Sequence, residues 1–325
     1  MIRLLLAVWL AAWWWSLGLV LGCYANAWTS RLSGGAWAEP LQSTALLLRR
    51  AVPWLIVALV PIALAHAWLY PWANPSGAWL QGYARPAFVR TWLSTPFWLA
   101  RLAVYAVAWW WITRPASLAS KGRAAASLVL YLLLTSLAGV DLLMSLVPRW
   151  FSTAFGLVVL SVQMLSGAAL TAWLTPTRGT RPESNVPVSR DLGNLMLAWV
   201  MGWSYLAFMQ FLIIWSENLP AEIGWYVPCL QTGWAKVGVL LVLLQLAVPF
   251  VLLLFRSMKD HPHRLRWIAA LLLASTALDA TWMVLPSVDP HTLHGWWLAP
   301  LVFAIAAMLF GVLVRGRAAE VRHAR

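Results

Sequence analysis

Charge is what this chain has least of. Only ten of its 325 residues are Asp or Glu and 10% are charged at all, against about 25% in an ordinary water-soluble domain. A soluble globule of this length is excluded, because its surface could not be covered. Cysteine is nearly absent too: Cys23 and Cys229 are the only two, which excludes a disulfide framework, a four-cysteine cluster and a CxxCH haem-attachment motif. Of six histidines, His66 alone falls inside an apolar run, so this chain cannot supply a bis-histidine haem site within a membrane.

What is present is apolar surface, at 62% of residues. Runs close to the length of about 20 residues that crosses a hydrocarbon core lie at roughly 2 to 22, 51 to 70, 95 to 113, 124 to 147, 152 to 174, 192 to 216, 233 to 255, 266 to 286 and 296 to 314. They predict an all-α integral membrane protein with about nine transmembrane helices.

Lys and Arg are retained on the cytoplasmic side of membranes. Alternating the loops places five cations, Arg3, Arg85, Arg90, Arg149 and Lys236, with the N-terminus and 17 on the other side, leaving Arg101 inside a helix. The N-terminus is therefore expected in the periplasm and the C-terminus in the cytoplasm of a bacterial inner membrane. The net charge of +13 then faces anionic headgroups, and a nucleic-acid partner is not implied. A rival reading takes Arg3 and the run ending in "GCYANA" as a secretory signal or a poor lipobox at Cys23, which inverts the charge pattern. With the first topology the two cysteines lie at opposite faces and cannot pair.

An internal echo divides the chain. "SLAGVDLLMSLVP" at 136 to 148 and "STALDATWMVLP" at 275 to 286 each carry Asp followed seven positions later by Pro, at an offset of 138 residues. "WLYPWANP" at 68 to 75 and "IIWSENLP" at 213 to 220 give a weaker second pair. The expected organisation is a first helix over 1 to 25, a four-helix half over 44 to 175, a Pro-rich cytoplasmic linker over 176 to 190, a second four-helix half over 191 to 315 and a basic tail over 316 to 325. The two halves form a parallel repeat, with the first helix as an addition. Chance similarity between apolar segments is the plainer alternative.

Each ionisable group within a span costs about 2.5 to 3.5 kcal/mol on insertion scales, so each needs a reason. Four qualify: His66, Arg101, Asp141 and Asp279. At 1.5 Å per residue all four fall in the outer half of the bilayer. Arg101 can snorkel outward, and His66 alone is more often a bonded interior histidine than a ligand. The aspartates have no neighbouring cation in sequence and require a partner, a proton or water. Gln163, Gln210, Gln245 and Tyr105 extend a polar path or simply join helices. Together the four groups suit a quinone headgroup, a proton relay or a carrier site, and their chemistry alone does not choose. The pairs in "HPH" at 261 to 263 and "HTLH" at 291 to 294 lack carboxylate or thiol companions and read as solvated, so no metal is expected. Glu217 and Glu222, at the exit "SENLPAE", form either a solvated turn flanked by the interfacial anchors Trp215 and Trp225 or a docking lip for a periplasmic partner.

The segments at 191 to 226 and 140 to 157, together with "YPWA" at 70 to 73, the Pro249 region and "LDATWMVLP" at 278 to 286, resemble the second large membrane subunit of bacterial alternative complex III, a quinol:cytochrome c oxidoreductase, within the NrfD-like polysulfide-reductase membrane-subunit superfamily. The resemblance implies two four-helix bundles, no covalent or metal cofactor, quinone as a candidate ligand, and partners that include other membrane subunits, an iron-sulfur protein and a c-type cytochrome. Asp141 and Asp279 match acidic positions of that family, whose subunit has ten helices where this chain shows nine. The expected function is that of a respiratory-chain subunit supporting the quinone side and proton conduction; the alternatives are a cofactor-free scaffold for a terminal oxidase and a small-molecule or ion transporter.

Overall fold

Among the described residues the apolar runs are helical, because within a membrane each backbone N–H and C=O must be satisfied inside its own segment. The computed structural model describes residues 2–74, 78–81, 83, 85–175, 186–220, 222–288, 299–308 and 311. Its long helices are α1 (Ile2–Ser33), α2 (Ala38–Leu64), α3 (Thr95–Ile112), α4 (Lys121–Leu142), α5 (Phe155–Leu174), α6 (Val186–Glu217), α7 (Trp234–Leu254), α8 (Pro262–Val288) and α9 (Ala299–Met308). Among the described residues no strand occurs, and seven of these helices are long and apolar enough to cross a membrane. Of the other two, α3 is 18 residues long and diluted by Arg101 and four tryptophans, and α9 is short over its described part. The linker at 176 to 185 and the "HTLH" stretch lie outside the described residues.

Local signals set the ends. Ser120 accepts from the Arg123 N–H and caps α4, satisfying one of the orphan donors of a first turn. The exit of α6 is shaped by Asn218, whose φ of 49° is left-handed and whose N–H closes on the Ile214 carbonyl at 3.0 Å. Asn tolerates that conformation at a helix end, and Pro220 prevents further helix.

The first helix lies within the packed interior. Every residue from Ser16 to Trp28 is buried, and α1 packs against α2, α4, α5 and α8. A helix apolar on all sides belongs in an interior, and this one runs on to Ser33, so the stretch that reads as a signal is built into the core. Small residues allow the approach. A Cβ on Gly22 would overlap the Gln163 carbonyl, and one on Gly167 would overlap the Gly22 and Cys23 backbone. Around this centre α2, α6 and α7 turn large side chains such as Trp54, Val57, Tyr205, Phe208, Val239 and Val242 outward, as lipid contact requires.

The two members of the Asp-to-Pro echo end differently. Helix α4 stops at Leu142, before Pro148, whereas α8 continues through Pro286.

Candidate functional site

On α3 the residues Trp98, Arg101, Leu102, Tyr105, Trp109 and Ile112 recur at helical spacing and are the buried ones, so one face of the helix meets α4. That face delivers a cation to Asp141 in the last turn of α4. Arg101 Nε donates to Asp141 Oδ2 at 2.6 Å and Nη2 donates to Oδ1 at 2.9 Å. Tyr105 Oη donates to Oδ2 at 2.7 Å. The Asp141 carbonyl accepts from Trp98 Nε1 at 3.0 Å and from Ser145 Oγ at 2.7 Å. Arg101 also donates from Nη1 to the Trp92 carbonyl at 2.9 Å and lies over the Trp92 and Phe97 rings, 4.1 and 4.6 Å from their centroids. It does not snorkel: it is 9% exposed and Asp141 is 0% exposed. A two-pronged pair with its remaining acceptors filled is the arrangement in which a buried ion pair offsets its desolvation.

His66 belongs to the same cluster. Pro61 lies in the last turn of α2, which ends at Leu64, and His66 opens the short helix that follows. Its Nδ1 lies 2.8 Å from the Ala63 carbonyl and its Nε2 lies 3.1 Å from Thr95 Oγ1. A carbonyl only accepts, so Nδ1 carries the proton and Nε2 accepts from the hydroxyl in the neutral ring. The ring packs on Trp72 and Trp98, at 5.9 and 5.6 Å between centroids. Both imidazole nitrogens are thus engaged within the chain.

Asp279 stands apart from these three. It is 2% exposed, and its Oδ2 has no partner. It lines a cavity about one water in size together with Trp14, Trp15 and Gly18 of α1, Gln163 and Ser166 of α5, and Thr276 of α8. Gln163 Oε1 accepts from Tyr131 Oη on α4 at 3.1 Å, while Gln163 Nε2 has no partner. The orientation of the amide is therefore set by Tyr131, with its N–H groups left available.

The remaining candidates divide. Gln210 joins helices, accepting from Ser152 at 2.9 Å and donating to Tyr226 Oη at 3.1 Å; burial pushes the Tyr226 phenol up to about 12, so it acts as a hydrogen-bonding group. Gln245 is 0% exposed with both amide ends unpartnered. Glu217 is exposed and Glu222 half-buried at the turn after α6. Trp215, 66% exposed, suits an interfacial anchor, but Trp225 does not: it is 5% exposed and packs on Trp150, Tyr226 and Trp282 with centroids at 5.0, 4.9 and 5.1 Å. Its place in the interior follows from the aromatic ends of three chain segments meeting there. His261 is exposed and bonds the Ser257 carbonyl, and His263 is exposed beside Trp267. Among the described residues no three His, Cys, Asp or Glu side chains converge on a metal position, and both cysteines are free and buried; burial pushes the Cys229 thiol up.

Two features escape a reading by residue type. Asn26, 0% exposed, donates to the Gly22 and Met164 carbonyls at 2.8 Å each and accepts from Trp199 Nε1 at 2.9 Å, joining α1, α5 and α6. The spacing of Gly18 and Gly22 in "GLVLG", four residues apart, is the available signal for the tight α1 to α5 contact.

No protein-family model matches the chain, and no curated protein matches it significantly. The fold and composition define a helical integral membrane protein.

Proposed function

We propose that the chain is a membrane subunit of a quinol-oxidising respiratory complex of the quinol:cytochrome c oxidoreductase kind, and that its own chemical contribution is a proton-binding carboxyl at Asp279. The quinol part rests on the resemblance of residues 140 to 157 and 191 to 226 to alternative complex III. The proton part rests on one observation: of the two intramembrane aspartates, Asp141 has both oxygens occupied by Arg101 and Tyr105, while Asp279 Oδ2 is buried without a partner. A carboxylate in that position needs a proton or water, whereas a guanidinium-bound one does not. The cation distribution supports a periplasmic N-terminus, and Glu217 and Glu222 would then face a periplasmic partner.

A cofactor-free scaffold for a terminal oxidase is the second reading. It is favoured by the self-contained state of His66, Arg101 and Asp141, which present no free imidazole nitrogen or carboxylate oxygen to a headgroup.

Purification of the tagged protein from native membranes in gentle detergent separates the two. Recovery with c-type haem, an iron-sulfur subunit and extractable quinone supports the first reading. Colourless recovery, free of quinone and with oxidase subunits alone, supports the second.

A further inference from the structure

Helices α6, α7 and α8 pack against one another, and their interior differs from the surroundings of Asp141, where Trp72 Nε1 is the unpartnered atom among the described residues. Among the described residues the interior of α6, α7 and α8 keeps a series of buried polar atoms without partners: Trp203 Nε1 on α6, both ends of the Gln245 amide on α7, and Asp279 Oδ2 and Trp282 Nε1 on α8. Around Asp141 the corresponding atoms of Arg101, Tyr105 and Trp109 are engaged. Buried polar groups are satisfied by protein or by internal water in nearly all folded proteins.

Gln245 is the sharpest case, and its helix is distorted where it sits. Residues Val242–Ala247 form a wide π-helical turn, with the Val248 N–H reaching the Leu243 carbonyl five residues back. The cause is Pro249, which has no N–H to give the Gln245 carbonyl. Wide turns of this kind recur where a helix serves a ligand.

The register puts Gln245 and Asp279 at neighbouring depths on two helices in contact. A Cβ on Gly238 of α7 would lie 3.3 Å from Trp282 Nε1 of α8, which fixes the antiparallel pairing. At about 1.5 Å per residue, Gln245 lies about 10 Å along α7 from that contact and Asp279 about 4.5 Å along α8 in the same direction. Their separation in depth is therefore about 6 Å, the span of two waters. Asp279 also lies one turn from Trp282 and lines the small cavity with Gln163, so it occupies the seam between α7 on one side and α1 and α5 on the other.

We infer that Gln245, Asp279 and Gln163 line one internal water site, a short file that runs from the wide turn of α7 through the Asp279 carboxyl to the Gln163 amide. The file gives the orphaned ends of Gln245, Gln163 and Asp279 a partner: water donates to Gln245 Oε1, and accepts from the Nε2 groups of Gln245 and Gln163 and from the acid. This rests on Asp279 carrying a proton and adds the route by which that proton exchanges.

The test is infrared spectroscopy of the purified chain in nanodiscs on transfer to D₂O. The protonated-carboxyl band lost in Asp279→Asn identifies the group. The expected result is a band that shifts on deuteration in the wild type and shifts about tenfold more slowly or less in Gln245→Leu, the effect of losing about 1.4 kcal/mol of stabilisation of the exchanging water, with Gln245→Asn restoring the faster rate. A wild-type band that does not shift, a Gln245→Leu rate equal to wild type, or the absence of any band assignable to Asp279 overturns the proposal. If Gln245→Leu fails to fold, the wild-type deuteration result and Gln163→Leu, expected to slow exchange likewise, decide it. The readout needs no electron transfer, so the site stands or falls independently of the quinol reading.

Discussion

Arg101 reaches Asp141 from a helix 40 residues earlier in sequence and contacts both carboxylate oxygens, at 2.6 and 2.9 Å. The pair clamps α3 to α4. Losing either partner strands the other charge in a low-dielectric interior, at a cost of about 3 to 5 kcal/mol, while replacing both by apolar residues costs much less. Arg101→Leu and Asp141→Leu are each expected to lower unfolding stability in detergent sharply, and the double variant to recover most of the loss. Strictly additive losses in the double-mutant cycle contradict the clamp.

Gly22 and Gly167 set the closest approach of α1 and α5. Gly22→Ala is expected to cost about 1 to 3 kcal/mol through overpacking, because backbone rather than a pliable side chain stands in the way. Gly18→Ala meets Gln163 Cγ at 3.0 Å and is expected to be milder, since that side chain can shift. Gly122→Ala meets nothing within 4 Å and should be neutral or slightly stabilising, because Ala favours helix over Gly by up to about 1 kcal/mol. Thermal unfolding of the three variants ranks them, and equal losses contradict the geometry.

Asn26 carries three hydrogen bonds among three helices. Two of the three cross between helices, so at about 0.6 to 2 kcal/mol for each interhelical bond in a membrane protein Asn26→Leu is expected to destabilise by about 1 to 4 kcal/mol, and Trp199→Phe, which removes one donor, by less. Stability measured by denaturant titration in micelles should show that order.

Asp260 ties α6 to the turn between α7 and α8. It accepts from Arg190 at 2.7 and 2.9 Å and lies 3.5 Å from Arg256 Nε. The hydrogen bonds from Arg190, with the charges of Arg190, Arg256 and His261, hold its carboxyl below the ordinary 3.8. A depressed carboxylate stabilises above the ordinary range and loses that contribution as pH falls through the lowered value. The difference in Tm between wild type and Asp260→Asn is therefore expected to be constant from about pH 8 to 5 and to shrink only below about pH 4. A gap that narrows steadily from pH 8 to 5 contradicts the assignment.

Hydropathy disclosed where helices lie, because a membrane forces every apolar run into one form. It could not tell which of them face lipid: α1 and α7 are both apolar, yet α1 is enclosed while α7 exposes Val239, Leu240 and Val242. The intramembrane acids were equally visible, but their fates were not. The partner of Asp141 comes from a different helix, and nothing local to Asp279 reveals that its Oδ2 is left without one. The turn at Asn218 was legible because its determinant, an Asn followed by Leu-Pro, is local. The burial of Trp225 was not, because its contacts Trp150 and Trp282 come from distant segments.

The central claim is that the two intramembrane aspartates do different work, Asp141 holding α3 to α4 and Asp279 exchanging a proton. It is tested most directly by measuring quinol-driven proton uptake in the purified complex carrying Asp279→Asn, beside an assembly control. The predicted result is a fully assembled complex whose proton uptake falls about tenfold or more, with Asp141→Asn instead reducing the amount of complex recovered. Wild-type turnover and proton uptake in an assembled Asp279→Asn complex would contradict it.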